Sequence, residues 1–297
     1  MTETKREMSE IIDTFWIEKY QTYVQTVDGD VRSTDTMFLA EYVLKGDVED
    51  ADLFEAECFQ VGQDQPIASY SGADRLWCNR MWVNRKVRSV DSLERLDEAF
   101  PPSNQYIWRI SGPVFSAETR QVCLGGAEEV TNIPKVHAVR LLQEGLSVVN
   151  NQEIDSTKPL LVEWDPFPQG KAGEIFDDLV FLFVDNFHGD VVYFGGLPID
   201  PDYITFRSSA ATIPAGSLNP GEPYTLFFSK CRMVDQIKHE GVNAVAVNSF
   251  GLELELHTQG DRAPDACQGE RCMAPFRWKR KTCVEEGLET WPTILDD

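Results

Sequence analysis

Residues 213–229 read IPAGSLNPGEPYTLFFS, and this stretch decides the fold class. Leu218, Pro220 and Tyr224 stand at the spacing Leu-x-Pro-x-x-x-Tyr, directly before the apolar run 225–228. This is the pattern of a tyrosine corner, in which a tyrosine near the start of a strand bonds through its hydroxyl to a backbone group a few residues upstream. The pattern predicts a β-sandwich in which Tyr224 is a buried structural residue.

The same pattern occurs once more, in the first half of the chain. Phe100, Pro102 and Tyr106 have the spacing of Leu218, Pro220 and Tyr224, and the strand-like run 107–110 follows them. Two corners in matching context indicate two related sandwiches, with Tyr106 as the structural tyrosine of the first.

The rest of the chain fits an all-β protein. Short runs rich in aromatic and β-branched residues alternate with Gly, Asp, Asn and Pro, as expected for strands and turns. A short helical lead-in is expected before residue 37, and one helix over 89–100, capped by Asp91 or Ser92. Predicted strands include 37–44, 53–59, 160–164, 178–184, 191–194, 203–206, 224–228, 242–247 and 252–257.

The length of 297 residues suits two domains, each able to bury its own core. We predict an N-terminal β-sandwich domain with the helical lead-in over 1–155 and a second β-sandwich over 156–258. A C-terminal tail that contains cysteines follows over 259–297.

The second predicted sandwich resembles fibronectin type III domains, which are immunoglobulin-like. Trp164, in PLLVEWDPF, matches the Trp-bearing second strand of that family, and the resemblance implies that its ring fills the core. The interval from Trp164 to Tyr224 is longer than in the family, which implies inserted loops around 166–176 or 196–215. AFPPSNQY and IPAGSLNPGEPY are also similar to pieces of uncharacterised secreted bacterial proteins, a resemblance that implies no activity.

The charge of the chain limits its partners. Acidic residues outnumber basic ones by 49 to 27, and the formal net charge of −22 repels nucleic-acid phosphates and anionic lipids. No apolar run reaches the length of about 18 residues that a membrane span needs, so membrane insertion is not expected. Residues 1–16 lack a signal-peptide pattern. The chain is therefore expected to be cytoplasmic, or secreted or at the cell surface if a leader was removed.

The seven cysteines predict no catalytic nucleophile. Four lie in or beside strand-like runs, as small buried thiols do: Cys58, Cys78, Cys123 and Cys231. Cys267 and Cys272, in ACQGERC, occupy a polar loop with Cys283 close behind. We expect a structural disulfide among these three in an oxidising compartment, with a zinc site as the alternative.

No catalytic residues are predicted. The four histidines lack metal-binding spacing, and no G-x-S-x-G, phosphate-binding Gly loop or H-E-x-x-H motif is present. No cofactor is expected apart from calcium, for which Asp185 and Asp190 in the turn 185–190 offer carboxylate oxygens. The competing interpretation is a solvated acidic loop.

Trp77 and Trp82 are the candidate ligand-binding residues. They are five positions apart in a strand region, which puts them on opposite faces unless a bulge intervenes at Asn79-Arg80. One of them is then free to stack on a glycan, unless both pack in the core. The leading functional prediction is a non-enzymatic structural or adhesion-type protein, bound to a protein partner or to other copies of itself. The alternatives are a carbohydrate-binding accessory protein and, third, a polysaccharide-active enzyme on a β-sandwich.

Overall fold

A computed structural model of the chain describes residues 7–26, 28–45, 55–71, 76–78, 81–102, 104–112, 116–118, 122–123, 138–148, 153–167, 169–186, 191–196, 198 and 200–261. These residues form an all-β protein with one α-helix, α1 (Leu93–Ala99), and a 3-10 turn at Met8–Glu10. The strands are β1 (Ile12–Gln25), β2 (Val31–Leu44), β3 (Glu55–Gln60), β4 (Ala68–Ser71), β5 (Leu76–Cys78), β6 (Met81–Val90), β7 (Gln105–Ser111), β8 (Ser116–Glu118), β9 (Val122–Cys123), β10 (Arg140–Gln143), β11 (Leu146–Ser147), β12 (Leu160–Glu163), β13 (Leu179–Asn186), β14 (Val191–Phe194), β15 (Ala210–Ile213), β16 (Pro223–His239) and β17 (Val242–His257).

One large sheet organises the described part of the molecule. Its eight strands run in the order β14-β13-β16-β17-β1-β2-β6-β5. Two smaller sheets pack on the same face of it, one with the order β4-β3-β7-β8, in which β9 also pairs with β7, and one with the order β11-β10-β12-β15. Each smaller sheet closes a β-sandwich against its own part of the large sheet.

Strand β17 belongs to both sandwiches. Side chains alternate between the faces of a strand, so its even-numbered residues all point the same way. Val242, Ala244 and Ala246 pack into the core under the β4-β3-β7-β8 sheet. The four even-numbered residues 250–256 pack into the core under the β11-β10-β12-β15 sheet. Asn248, which is fully buried, lies between the two cores.

The second core confirms the role predicted for Trp164. Its ring is 1% exposed, lies 5.0 Å from the ring of Phe228, and donates from Nε1 to the Ser208 carbonyl at 3.0 Å. The connections between β12 and β13 and between β14 and β15 lie at the two places where inserted loops were the alternatives, and β15 occupies 210–213 of the second. The first core has its own tryptophan, Trp108, stacked on Phe15 of β1 with ring centroids 4.9 Å apart.

The tyrosine corner at Tyr224 is confirmed. The phenol is fully buried, and its oxygen accepts a hydrogen bond from the Asn219 backbone N–H at 2.6 Å. The same hydroxyl donates to the Glu222 carboxylate at 3.1 Å. Thr258, just after β17, donates from its hydroxyl to the Asn219 carbonyl at 2.7 Å. The corner therefore joins the arch before β16 to the end of β17.

The corner predicted at Tyr106 lies in the first core. Tyr106 is fully buried and Phe100, which corresponds to Leu218, is 1% exposed. Phe38 of β2 stacks on Phe100 at 3.9 Å between centroids and lies 5.8 Å from the ring of Tyr106. The hydrogen bond from its hydroxyl to an upstream backbone group stays a prediction.

We expect Tyr224→Phe to lower the free energy of unfolding by about 1–3 kcal/mol, because the part-buried Asn219 N–H loses its acceptor and the buried Glu222 carboxylate loses a donor. Burial, aided by the nearby Glu222 carboxylate, raises the pKa of Tyr224 to about 12 against the opposing effect of the Asn219 N–H. Between pH 10 and 12 the folded state then holds a proton that the unfolded state has lost, so stability falls as pH rises. Urea unfolding across this range should show that decline in the wild type and a weaker one in Tyr224→Phe.

Tyr193→Phe is the matched control for this variant. Tyr193 lies on the sheet-edge strand β14, is only partly buried, and its hydroxyl makes no hydrogen bond in the described structure. Its loss should change stability by less than about 0.5 kcal/mol. Equal stability of Tyr224→Phe and Tyr193→Phe would contradict a structural role for the corner.

A loop over 169–178 covers part of the opposite face of the large sheet. Asp178 accepts from the backbone N–H of Met233 at 2.8 Å, and Gln236 accepts from the N–H of Phe176 at 2.7 Å. Phe176 and Leu179 pack there on Trp16, Val245 and Val247. The large sheet is therefore buried on both faces in this region.

Three sequence expectations about secondary structure are wrong. The lead-in is not helical beyond the turn at Met8–Glu10, because residues 12–25 form the central strand β1. Residues 203–206 contribute only one isolated bridge, between Thr205 and Leu179. The segments 242–247 and 252–257 are one continuous strand, since Ser249, Phe250 and Gly251 keep the pairing with β16.

The predicted domain boundary near residue 155 stays a prediction. Strands from both sides of it share the large sheet, and β10 and β11, which precede it, pair in the sheet of the second sandwich. The tail over 259–297, with Cys267 and Cys272, lies outside the described residues beyond Asp261.

Candidate functional site: the seam between the sandwiches

The two sandwiches meet where β1 pairs with β17, a contact that we call the seam. The pairing is parallel and continuous over twelve register pairs, from Thr14 opposite Asn243 to Gln25 opposite Leu254. All other pairs between neighbouring strands of the large sheet are antiparallel in the described residues. The seam is thus the junction at which two antiparallel halves of the sheet become one.

A buried polar cluster reinforces the seam on its outer face. Glu18 of β1 is 8% exposed and accepts a hydrogen bond from Trp16 Nε1 at 2.8 Å. The Ser249 hydroxyl of β17, which is fully buried, also donates to the Glu18 carboxylate. This hydrogen bond ties the two strands across the seam.

Gly251 allows a close side-chain approach on the same face. A Cβ atom at this position would lie 2.1 Å from the hydroxyl oxygen and 2.7 Å from Cζ of Tyr20. Tyr20 of β1 therefore lies across the strand over the glycine, and a glycine within a strand commonly marks such an approach. Glycine is required here by space, since the strand pairing on both sides is regular.

On the inner face, a buried ion pair ties β1 to the helix. Lys19 is fully buried, and its Nζ lies 2.5 Å from Oδ1 of Asp97 on α1, whose side chain is 34% exposed. Burial lowers the pKa of Lys19, while the hydrogen bond and the charge of Asp97 oppose that shift. Leu93 of the same helix packs against both cores. The helix therefore fills the space between the two small sheets.

Two further contacts tie the end of β1 to the second sandwich. Gln25 donates to the Val139 carbonyl at 3.1 Å and accepts from the Val139 N–H at 2.9 Å, immediately before β10. The ring of Tyr23 stacks on Phe250 of β17 with centroids 4.1 Å apart. Side chains along β1 thus contact the second sandwich as well as the first.

Two cysteine thiols are buried in the described structure, those of Cys58 and Cys231. Burial raises the pKa of the Cys58 and Cys231 thiols, with the Glu18 charge adding to the effect at Cys231, so both stay protonated and are poor nucleophiles. This agrees with the prediction of buried thiols at these two positions. Nε2 of His257 lies 3.3 Å from a carboxylate oxygen of Glu255, its neighbour two positions away.

The candidate ligand residues are arranged differently from the sequence expectation. Trp77 lies in β5 and Trp82 in β6, and the two are direct partners in an antiparallel pair at the edge of the large sheet. The expectation of opposite faces along one strand is wrong, because the two residues are register partners in two different strands. The side chains of both residues, and of Cys78 and Cys123, lie outside the described part.

The predicted calcium ligands are not seen together. Asp185 is 3% exposed in β13, and Asp190 lies outside the described residues. Within the described ranges, no three His, Cys, Asp or Glu side chains are grouped so that they could hold a metal ion. Nor is any helix in those ranges long and apolar enough to cross a membrane. A calcium site therefore stays a prediction.

Sequence reasoning predicted strands over 242–247 and 252–257 of β17, but it missed β1 and the polar side chains of the seam. Glu18 and Lys19 interrupt the apolar run of β1 with two charges, which hides a strand whose faces are both buried. The remaining signal was the run of Thr, Phe, Trp, Ile, Tyr and Val in 14–24, a composition that favours strands.

Comparison with known proteins adds little. No family model matches the sequence, and no curated protein matches it. Among solved structures, the chain is similar to the FN1–FN3 domains of chicken CNTN1, with 8% identity and a TM-score of 0.25. The match covers 84% of this chain and 66% of that one, so this chain spans about two thirds of its length. The fold follows from the sheets themselves, which make an all-β protein of the β-sandwich type.

Proposed function

We propose that this chain is a non-enzymatic structural or adhesion-type protein whose two β-sandwiches act as one rigid unit. The observation that carries the proposal is the parallel seam, which runs through one uninterrupted sheet shared by both cores. Flexible linkers are the usual connection between separate sandwiches, and they allow relative motion. A sheet that both sandwiches share holds them at one orientation relative to each other. A protein that acts as a spacer or as a binding platform needs such a fixed orientation.

Two further features support a structural role. The polar groups of the seam make structural contacts. Ser249 donates a hydrogen bond to Glu18 across the two strands, and Lys19 pairs with Asp97 of the helix. The net charge of −22 keeps the surface soluble and disfavours nucleic acid and anionic lipid as partners. The proposed partner is therefore another protein or a second copy of this chain.

The rigidity can be measured by pulsed electron paramagnetic resonance. Nitroxides attached through an unnatural amino acid at Ser69 in β4 and Thr212 in β15, both exposed, report the distance between the two sandwiches. A pair at Ser147 and Thr212 within the second sandwich supplies the reference width. We expect equally narrow distance distributions for the two pairs. A much broader distribution for the pair that spans the sandwiches would overturn the proposal.

A second candidate function, glycan binding, is supported by the pairing of Trp77 with Trp82. The two residues are direct register partners in β5 and β6, at the edge of the large sheet. Aromatic residues are the type that stacks on sugar rings. A glycan array with wild type, Trp77→Ala and Trp82→Ala tests this function: binding lost in both variants supports it, and no binding by the wild type rejects it.

The third prediction, a polysaccharide-active enzyme, has no supporting observation among the described residues. It would need converging carboxylates in a cleft beside a His or Tyr.

Calcium binding at Asp185 and Asp190 and self-association can be tested together by sedimentation velocity with calcium and with a chelator. A calcium-dependent change in mass that is absent from Asp185→Asn would support both.

A further inference from the structure

The parallel register of the seam places the start of β1 and the end of β17 at its opposite ends. The amino end of β1 lies beside the amino end of β17, because Thr14 faces Asn243 and Gln25 faces Leu254. The chain therefore enters β1 at one end of the seam and leaves β17 at the other. Twelve paired residues separate these ends by about 36 Å at the usual rise per residue.

Tension between these two ends acts along the strands. The cross-strand hydrogen bonds of the seam then lie perpendicular to the pull and share the load, so the strands can slide only if many bonds break together. A pull that separates the strands from one end loads the bonds one after another. Each hydrogen bond is individually weak, so the force needed to separate the strands depends on whether the bonds break together or one by one. The direction of pulling decides which of these happens.

Side-chain contacts across the seam oppose sliding in particular. Three side-chain contacts depend on how far β1 is shifted along β17. They are the hydrogen bond from Ser249 to Glu18, the Tyr20 ring over Gly251, and the stack of Tyr23 on Phe250. A shift of β1 along β17 by one residue would turn these side chains to the wrong face. The seam is thus locked along the direction in which tension acts.

We propose that the seam is a tension-bearing clamp, which carries force between the segment that enters β1 and the segment that leaves β17. This inference rests on the proposed structural function and adds the direction of load to it. The partners implied are two protein attachments, one at each end of the seam.

Single-molecule force spectroscopy with two pulling geometries tests the clamp. Handles linked through an azide-bearing amino acid at Glu7 and Asp261 pull along the seam, and handles at Glu7 and Glu240 pull its strands apart from one end. All three positions are exposed. Gly241, next to Glu240, lies against Ser9, so Glu7 and Glu240 are at the same end of the seam. At equal loading rate we expect the first unfolding force to be at least about twofold higher along the seam.

The Ser249→Ala variant provides the control for mechanism. It removes the hydroxyl bound to Glu18 with a small change in volume, and should lower the force along the seam while leaving the peeling force unchanged. Equal forces in the two geometries would overturn the clamp. If the distance distribution between Ser69 and Thr212 is narrow while the forces are equal, only the clamp fails. A broad distribution would reject the rigid unit itself.

Discussion

Replacing Asp97 with alanine is expected to lower the free energy of unfolding by about 3–5 kcal/mol at pH 7, because it leaves the charge of Lys19 buried without a partner. Lys19 is fully buried, and its Nζ lies 2.5 Å from the Asp97 carboxylate. The loss has an upper bound, since the ammonium can release its proton. At pH 7 that release costs about 5 kcal/mol for a lysine of ordinary pKa.

The pH dependence identifies the cause of this loss. Burial already lowers the pKa of Lys19 in the folded protein, and removal of Asp97 lowers it further. Between the folded and unfolded pKa values the unfolded state binds more protons, so stability rises with pH in this window. The deficit of Asp97→Ala should therefore shrink to about 1–2 kcal/mol near pH 10. The Tyr224 titration affects both proteins equally and cancels in the difference.

Two controls accompany the Asp97 variant. Glu98→Ala removes the neighbouring carboxylate, which is 67% exposed and pairs only with Arg95 at 3.1 Å in the described structure, and should cost less than about 0.5 kcal/mol. Lys19→Met combined with Asp97→Ala removes the buried charge and should restore most of the stability. A deficit that is independent of pH, or that persists in the double variant, would contradict the ion-pair account.

Trp164→Ala is expected to cost about 3–5 kcal/mol, because it empties the centre of the second core. The ring is 1% exposed, contacts Phe228, and donates to the Ser208 carbonyl at 3.0 Å. Trp164→Phe keeps part of the volume and should lose less, about 1–3 kcal/mol. Urea unfolding of the three proteins gives these values. A loss below about 1 kcal/mol for Trp164→Ala would contradict the assigned core position.

The sequence predicts well where a local pattern sets the structure. Tyr224 and Trp164 occupy the predicted positions because the corner spacing and the Trp-bearing strand each specify a buried residue within one short segment. Helix α1 follows for the same reason: the Ser92 hydroxyl caps it at the Arg95 N–H, and Leu96 is buried on its inner face.

The seam was beyond sequence reasoning for two physical reasons. The contact between Glu18 and Ser249 joins residues 231 positions apart, and nothing local specifies it. A lysine in the sequence also indicates a charge that faces solvent. Lys19 is instead buried, where it pairs with Asp97 of α1. Gly251 similarly indicates a break in a strand, although the ring of Tyr20 fills the space above it.

The candidate function depends on those same long-range contacts. Trp77 and Trp82 were predicted as ligand residues from their chemistry, but the sequence did not predict that they are register partners in two paired strands. The residues that carry the proposed function, from Glu18 to Gly251, have ordinary chemistry and act through their position.

Hydrogen exchange in increasing denaturant, read by mass spectrometry, tests most directly whether the two sandwiches form one unit through the seam. Amides of β1, β17 and β12 should exchange through a common opening, with one free energy and one denaturant dependence, because opening the seam disrupts both cores. Trp164→Ala should then lower the protection of β1 as much as that of β12. If β1 and the first sandwich exchange at lower denaturant while β12 and β17 stay protected, the two sandwiches are independent and the account is wrong.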